Sequence, residues 1–198
     1  MGRSPTNAKE KLLETAMDLI WQSSYGSVSV DDICNVSGVK KGSFYYYFPS
    51  KVDLAIAAME ASYQSYKPEI MDVFALNTSP VERFERLAIF VYERQKKAYE
   101  KYGHVCGCPF ASLGSEMAGN EETIREKADE IFRRQEIRYI ETLQEMTNAG
   151  QLPKETNLAA KALEIHTFIL GQLMMARIQN DLTTLKDDLK SGLFRVLR

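Results

Sequence analysis

The sequence predicts an all-α protein of about nine helices, three in a small N-terminal module and the rest in a larger helical domain after it. Three observations predict it. Apolar residues recur at three- and four-residue intervals along nearly every long segment. No segment alternates apolar and polar residues as a half-buried strand would, and turn-forming pairs cut the chain into helix-length pieces. With 198 residues there is room for a small module fused to a larger domain, each with a core. Hydrophobic residues at 44% and charged residues at 26% exclude a disordered chain and a membrane protein, and read as a soluble globular one. A net charge of -2 excludes a protein that coats nucleic acid by bulk electrostatics, so any nucleic-acid contact has to be local.

The opening Met1-Gly2-Arg3-Ser4-Pro5-Thr6 fits a myristoylation pattern, but the pattern is short and common, and the segment reads as a frayed start. Leu12, Ala16, Leu19 and Ile20 then share one face of a helix from about Asn7 to Ser23, which Tyr25-Gly26 ends. Ser29 is a good N-cap, with Asp31 and Asp32 placed in the first turn where the helix dipole favours negative charge. Ser37-Gly38-Val39 breaks that short helix, and Lys40 to Phe48 can form another with Phe44 and Phe48 on one face. Ser50 caps a fourth helix starting at Lys51, carrying Leu54, Ala55, Ala58 and Ala61 inward, which Pro68 should end or kink. Beyond Ser79-Pro80 the periodic segments are Val81 to about Lys101, Pro109 to Met117, Glu121 to Ala149, Leu158 to Gln179 and Leu185 to Leu197. In the longest, Ala128, Phe132, Gln135, Tyr139, Leu143 and Met146 mark the inner face. The domain boundary falls near Lys51, inside a continuous helix, which divides the chain into 1–50 and 51–198 and couples the two mechanically.

The apolar stretch Leu158 to Ile178 holds Lys161, Glu164, His166 and Arg177, so it reads as a buried helix and not a membrane span. Three cysteines and a polar start predict a cytoplasmic chain without structural disulfides.

The second helix of a helix-turn-helix enters the DNA major groove, and its outward face needs donors, small polar groups and flat aromatics. With Phe44 and Phe48 packed inward, Lys40, Lys41, Ser43, Tyr45 and Tyr46 face out and Gly42 allows close backbone approach. Lys51 can neutralise a phosphate at the start of the next helix. Charge alone would make Lys40 and Lys41 an ordinary solvated patch: the first 52 residues carry six basic and five acidic side chains, the remainder 19 and 22. The pattern carries more than the charge does. Ser29-Val30-Asp31-Asp32-Ile33 followed by Ser37-Gly38-Val39-Lys40-Lys41-Gly42-Ser43-Phe44-Tyr45-Tyr46-Tyr47-Phe48-Pro49-Ser50-Lys51-Val52-Asp53-Leu54 resembles the DNA-binding signature of the TetR family. Ser37 stands where that signature usually has alanine and Phe44 where leucine is frequent, and both keep size or apolarity. The resemblance implies a ligand-responsive repressor that binds a palindromic double-stranded operator as a homodimer. It places Lys41, Ser43, Tyr45, Tyr46 and Lys51 at DNA-contacting positions and Gly42 at the close approach.

A dimer needs a helix pair too apolar to leave exposed. The last two helices qualify through Leu163, Leu170 and Met174 on one and Leu185, Leu189 and Leu193 on the other, with Gly171 permitting close contact; the resemblance also places dimerisation there. The alternative is that both stripes face the protomer's own core. The resemblance further implies a small-molecule effector pocket in the C-terminal helices. Candidates for its wall are Tyr92, Phe110, Met117, Tyr139, Phe168 and Met175, with Gln135, His166 and Arg177 as polar anchors. Cys106-Gly107-Cys108 before Pro109 adds three readings: small buried residues at a helix start, a thiol switch for oxidants or electrophiles, or a metal site completed by His104. Cys34, between Ile33 and Val36, reads as packing. An enzyme using Cys106 or Cys108 with His104 as base is the rival class, but no third orienting group stands at a readable spacing. The expectation is therefore no catalytic residue, no cofactor, no bound metal and no membrane partner.

Overall fold

The computed structural model describes the backbone of residues 5–198 and the side chains from residue 7 onward; Arg3 and the rest of Met1–Ser4, where the myristoylation pattern begins, lie outside these. Among the described residues there are nine α-helices and no strand: α1 Pro5–Gln22, α2 Val30–Ser37, α3 Lys41–Tyr47, α4 Lys51–Val73, α5 Pro80–Tyr102, α6 Pro109–Met117, α7 Glu122–Asn148, α8 Leu158–Gln179 and α9 Thr183–Leu197.

The ends follow local chemistry. Ser29 accepts from the Asp32 amide at 3.1 Å while the Asp32 carboxylate accepts from the Ser29 amide at 2.8 Å, a reciprocal capping box that starts α2. Gly38, at φ 67°, ends α2 in the left-handed conformation that a Cβ disfavours. Ser50 caps α4 through the Asp53 amide at 3.1 Å, and Ser79 caps α5, with Pro80 at a first-turn position where no amide donor is needed.

The chain forms two compact units. The described part of Met1–Tyr66 with Pro109–Ile131 makes one, and Lys67–Cys108 with Phe132–Arg198 the other. The compact units thus do not divide at Lys51: the first takes in most of α4, α6 and the start of α7. In it α1 packs on α2, α3 and α6, and the buried side chains include Leu12, Ile33, Phe44, Leu54, Met59 and Ile124. Fully burying each such side chain contributes about 1.5–3 kcal/mol. A Cβ on Gly114 would stand 2.7 Å from that of Ala128, so this glycine lets α6 lie close on α7.

In the second unit α9 packs on α8 and α5 around Leu87, Leu143, Ile165, Ile169, Leu173, Leu185, Leu189 and Leu193. Pro68 does not end α4, contrary to the first of the two expectations for it: the helix continues to Val73. A mid-helix proline costs roughly 3 kcal/mol. Val73 and Phe74, each buried in this core, offset that by about 2 kcal/mol apiece.

The α9 stripe also corrects the sequence reading. Leu185, Leu189 and Leu193 are at most 1% exposed within the single chain, so they are core residues of the protomer and present no surface to a second copy. Within the protomer α9 lies close on α8 at Gly192, where a Cβ would run into the Phe168 ring, while Gly171 faces open space in the single chain.

Candidate nucleic-acid interface and regulatory cluster

Helix α3 is seven residues long, too short to persist by itself. Phe44, with no exposure, and Phe48, its ring centroid 6.2 Å away, pin it to the first unit. Two aromatic anchors on one face leave the opposite face to solvent. Lys40, Lys41, Gly42, Tyr45 and Tyr46 are all exposed there and Ser43 is half-buried. Tyr46 is 81% exposed, a large aromatic ring presented outward for no reason of packing. Edge contacts at 5.0 Å between Phe44 and Tyr45, and between Tyr46 and Tyr47, orient these rings. A Cβ at Gly42 would meet no described residue within 4 Å, so the space before it is open to an approaching molecule. The Lys41 ammonium lies 2.8 Å from Asp31, whose hydrogen bond raises its pKa; both groups are exposed, and such a pair exchanges readily for another anion.

Lys51 sits differently from what the sequence suggested. Its ammonium donates to the carbonyls of Tyr25 and Val28, each at 2.8 Å, and lies 3.8 Å from the Tyr25 ring centroid. Burial pushes its pKa down. It braces the turn between α1 and α2. Glu116 of α6 holds the same turn, accepting from the amides of Tyr25 at 2.9 Å and Gly26 at 2.8 Å. Sequence reasoning missed Glu116, because nothing in a lone glutamate reports a partner 91 positions away.

The effector candidates scatter. Phe110 and Met117 are buried in the first unit. Tyr92 borders an open surface concavity of about 380 Å³ with Tyr99, Asn180 and Lys186. Phe168 lines another, of about 800 Å³, along α8 and α9 with Leu163 and Val196. Gln135 is half-buried and Met175 is exposed on α8.

Three groups do come together in the second unit. His166 of α8 is buried, its Nδ1 lies 2.8 Å from Glu136 of α7, and its ring stands edge-on to Phe132 at 4.8 Å and to Tyr139 at 6.0 Å. Burial lowers the His166 pKa and outweighs the carboxylate, which acts to raise it. Tyr139 is buried and its pKa is pushed well up, first by burial and then by the nearby carboxylate of Glu136.

The cysteine segment is a clamped turn. Gly107, at φ 71°, both donates to and accepts from the Gln95 side chain at 3.0 Å, and the Val105 amide donates to Asn180 Oδ1 at 2.9 Å. Arg177 packs its methylenes against Gly107. Cys106 has no exposure; burial pushes its thiol pKa up, and the Arg177 charge pulls the other way without prevailing. Its Sγ lies 3.7 Å from the carbonyl of His104, not from a ring nitrogen. Among the described residues no three His, Cys, Asp or Glu side chains gather closely enough to hold a metal ion. Cys34 is buried in the first unit, as a packing residue would be. No described helix is long and apolar enough to cross a membrane.

A helix-turn-helix whose second helix turns lysines and tyrosines outward, attached to a helical domain with an internal polar cluster, defines a DNA-binding transcriptional regulator. Comparison with known proteins gives the family. Residues 12–58 match the bacterial regulatory proteins of the tetR family, and residues 84–190 the tetracyclin repressor-like C-terminal domain. The chain belongs to the TetR family of transcriptional regulators. It is 28% identical over 185 residues to an HTH-type transcriptional regulator of Lactococcus lactis, covering 92% of this chain and 89% of that one. The fold is that of a TetR-family regulator from Agrobacterium tumefaciens, with a TM-score of 0.85 at 23% identity over 97% and 98% of the two chains. It is also that of the reduced form of Escherichia coli NemR, with a TM-score of 0.78 at 20% identity over 96% of each.

Proposed function

We propose that this chain is a repressor that binds a palindromic operator as a homodimer in the cytoplasm and is released by a small-molecule effector. In this reading residues 1–50 read DNA and 51–198 bind effector and partner copy. The observation that carries it is the outward face of α3: two lysines, an unobstructed glycine and two exposed tyrosines on a helix anchored by two phenylalanines. Such a face offers donors for phosphates and rings for base edges, and a two-fold dimer sets two of them about one helical turn apart, roughly 34 Å. Local contact of this kind also suits a chain whose net charge is -2. The enzyme alternative loses one of its two candidate nucleophiles, because Cys106 is fully buried with its thiol turned to a backbone carbonyl, while Cys108 is half-buried.

Gel-shift titration with the DNA upstream of the protein's own gene tests the reading. The unaltered chain retains a specific fragment, and Tyr46→Ala, which removes an exposed ring and no internal contact beyond Tyr47, weakens retention at least tenfold with an unchanged circular dichroism spectrum. Equal retention by the two proteins overturns the assignment of α3.

A further inference from the structure

We propose that Glu136, His166 and Tyr139 form the polar end of the effector site and select a small uncharged molecule that carries a hydroxyl group. The inference rests on the reading of the chain as an effector-responsive regulator and adds the chemical class of the effector.

It starts from the donor and acceptor inventory. His166 Nδ1 faces a carboxylate oxygen at 2.8 Å, so the proton sits on Nδ1 and the other nitrogen, Nε2, carries a lone pair. The Phe132 and Tyr139 rings, both nearly perpendicular to the imidazole, hold that tautomer in one orientation. Neither Nε2 nor the Tyr139 hydroxyl makes a hydrogen bond to any described residue of the chain. Yet among the described residues no buried side-chain nitrogen or oxygen is sealed off without a partner, so both atoms open onto accessible space. A 95% buried tyrosine hydroxyl beside an imidazole acceptor, neither engaged by the rest of the site, keeps its bonding capacity for a small molecule that enters that space, and a molecule that fills the space without pairing both atoms carries a desolvation cost.

The chemistry of the missing partner follows. It donates to Nε2, which only accepts, and it accepts from the phenol, which donates. A single hydroxyl does both. An anion is repelled by Glu136 and finds no proton on Nε2. A cation would leave water for a surround of Phe74, Phe84, Leu143 and Ile165, with the one nearby carboxylate already engaged by His166.

Nuclear magnetic resonance titration of the full chain, without DNA, tests this with phenol and cyclohexanol as hydroxyl probes, toluene as the apolar control, and benzoate and benzylamine as charged ones. Phenol or cyclohexanol is expected to bind at least tenfold more tightly than either charged probe. Tyr139→Phe, which keeps the ring and removes the hydroxyl, is expected to weaken the hydroxyl probes about tenfold and to leave toluene as it was. Nitrogen-15 shifts of His166 should show the Nδ1-protonated tautomer, and Glu136→Gln, acting through that ring, should disturb it and weaken phenol together. Absence of hydroxyl-probe binding, a preference for benzoate or benzylamine, or unchanged phenol affinity in Tyr139→Phe overturns the proposal. Selectivity of the unaltered chain decides the matter even if a variant folds poorly. Because no operator is present, such a failure leaves gel-shift retention of DNA standing, and loss of that retention leaves this titration unaffected.

Discussion

His166 is neutral near pH 7 because burial disfavours its charged form more strongly than Glu136 favours it. A histidine whose folded pKa lies below its unfolded value, about 6.5, leaves stability untouched above that pH. As the pH falls below it the unfolded chain takes up the proton first, and stability drops until the folded pKa is passed. The groups that meet this ring are Glu136, Phe132 and Tyr139. Thermal melts from pH 7.5 to 5.5 are expected to show a falling midpoint, with a shallower fall in His166→Gln; parallel curves would show that another group sets the slope. Histidine 166 was legible in the sequence as a polar residue on an apolar helix, and Tyr139 as an inner-face aromatic. Glu136 was not. It follows Gln135 on a helix crowded with glutamates, and only the register of α7 against α8 separates the one that faces a histidine from Glu130 and Glu141, which face solvent.

Among the elements, the ones that read cleanly are those whose boundaries are local chemistry. The capping box at Ser29 and Asp32, the caps at Ser50 and Ser79 and the left-handed Gly38 depend on residues at most a few positions apart, so spacing alone exposes them. Pro68 misled in the direction of an ending because local propensity at that point is outweighed by the burial of Val73 and Phe74, which sequence does not display. The turn at 105–107 is the converse case. Its Cys-Gly-Cys spelling left packing, thiol chemistry and a metal site open, and the structure shows a backbone clamp about Gly107 with Cys106 buried and Cys108 half-buried. Gln95, 4% exposed, satisfies both the amide and the carbonyl of Gly107. Gln95→Leu keeps similar bulk and orphans two backbone groups that water does not reach. Urea denaturation is expected to show a loss of roughly 2–4 kcal/mol, the cost of two buried unsatisfied groups. A loss below 0.5 kcal/mol would mean that the turn relaxes to find other partners.

At the scale of the whole molecule, the proposed repressor requires two copies, since one α3 would fill only one half-site of a palindromic operator. Both apolar stripes of α8 and α9 looked alike in sequence, because periodicity marks a face as apolar without saying what covers it. Folding resolves half of the ambiguity. The α9 stripe closes the protomer's own core, whereas Leu163 at 56%, Met174 at 42% and Ile178 at 70% exposure leave α8 with an apolar face that no described residue covers. Apolar side chains in that density are more than the scattered ones of an ordinary surface, and the open concavity beside Leu163 extends the patch toward Val196. A second copy meeting this face would place it against its own equivalent, as a two-fold interface requires. Leu163→Glu sets like charges across such an axis and is expected to sediment as a monomer and to lose operator retention, while Tyr46→Ala sediments as the dimer and loses retention alone. A dimer that survives Leu163→Glu would move the interface off α8 and leave the reading of α3 as it stands.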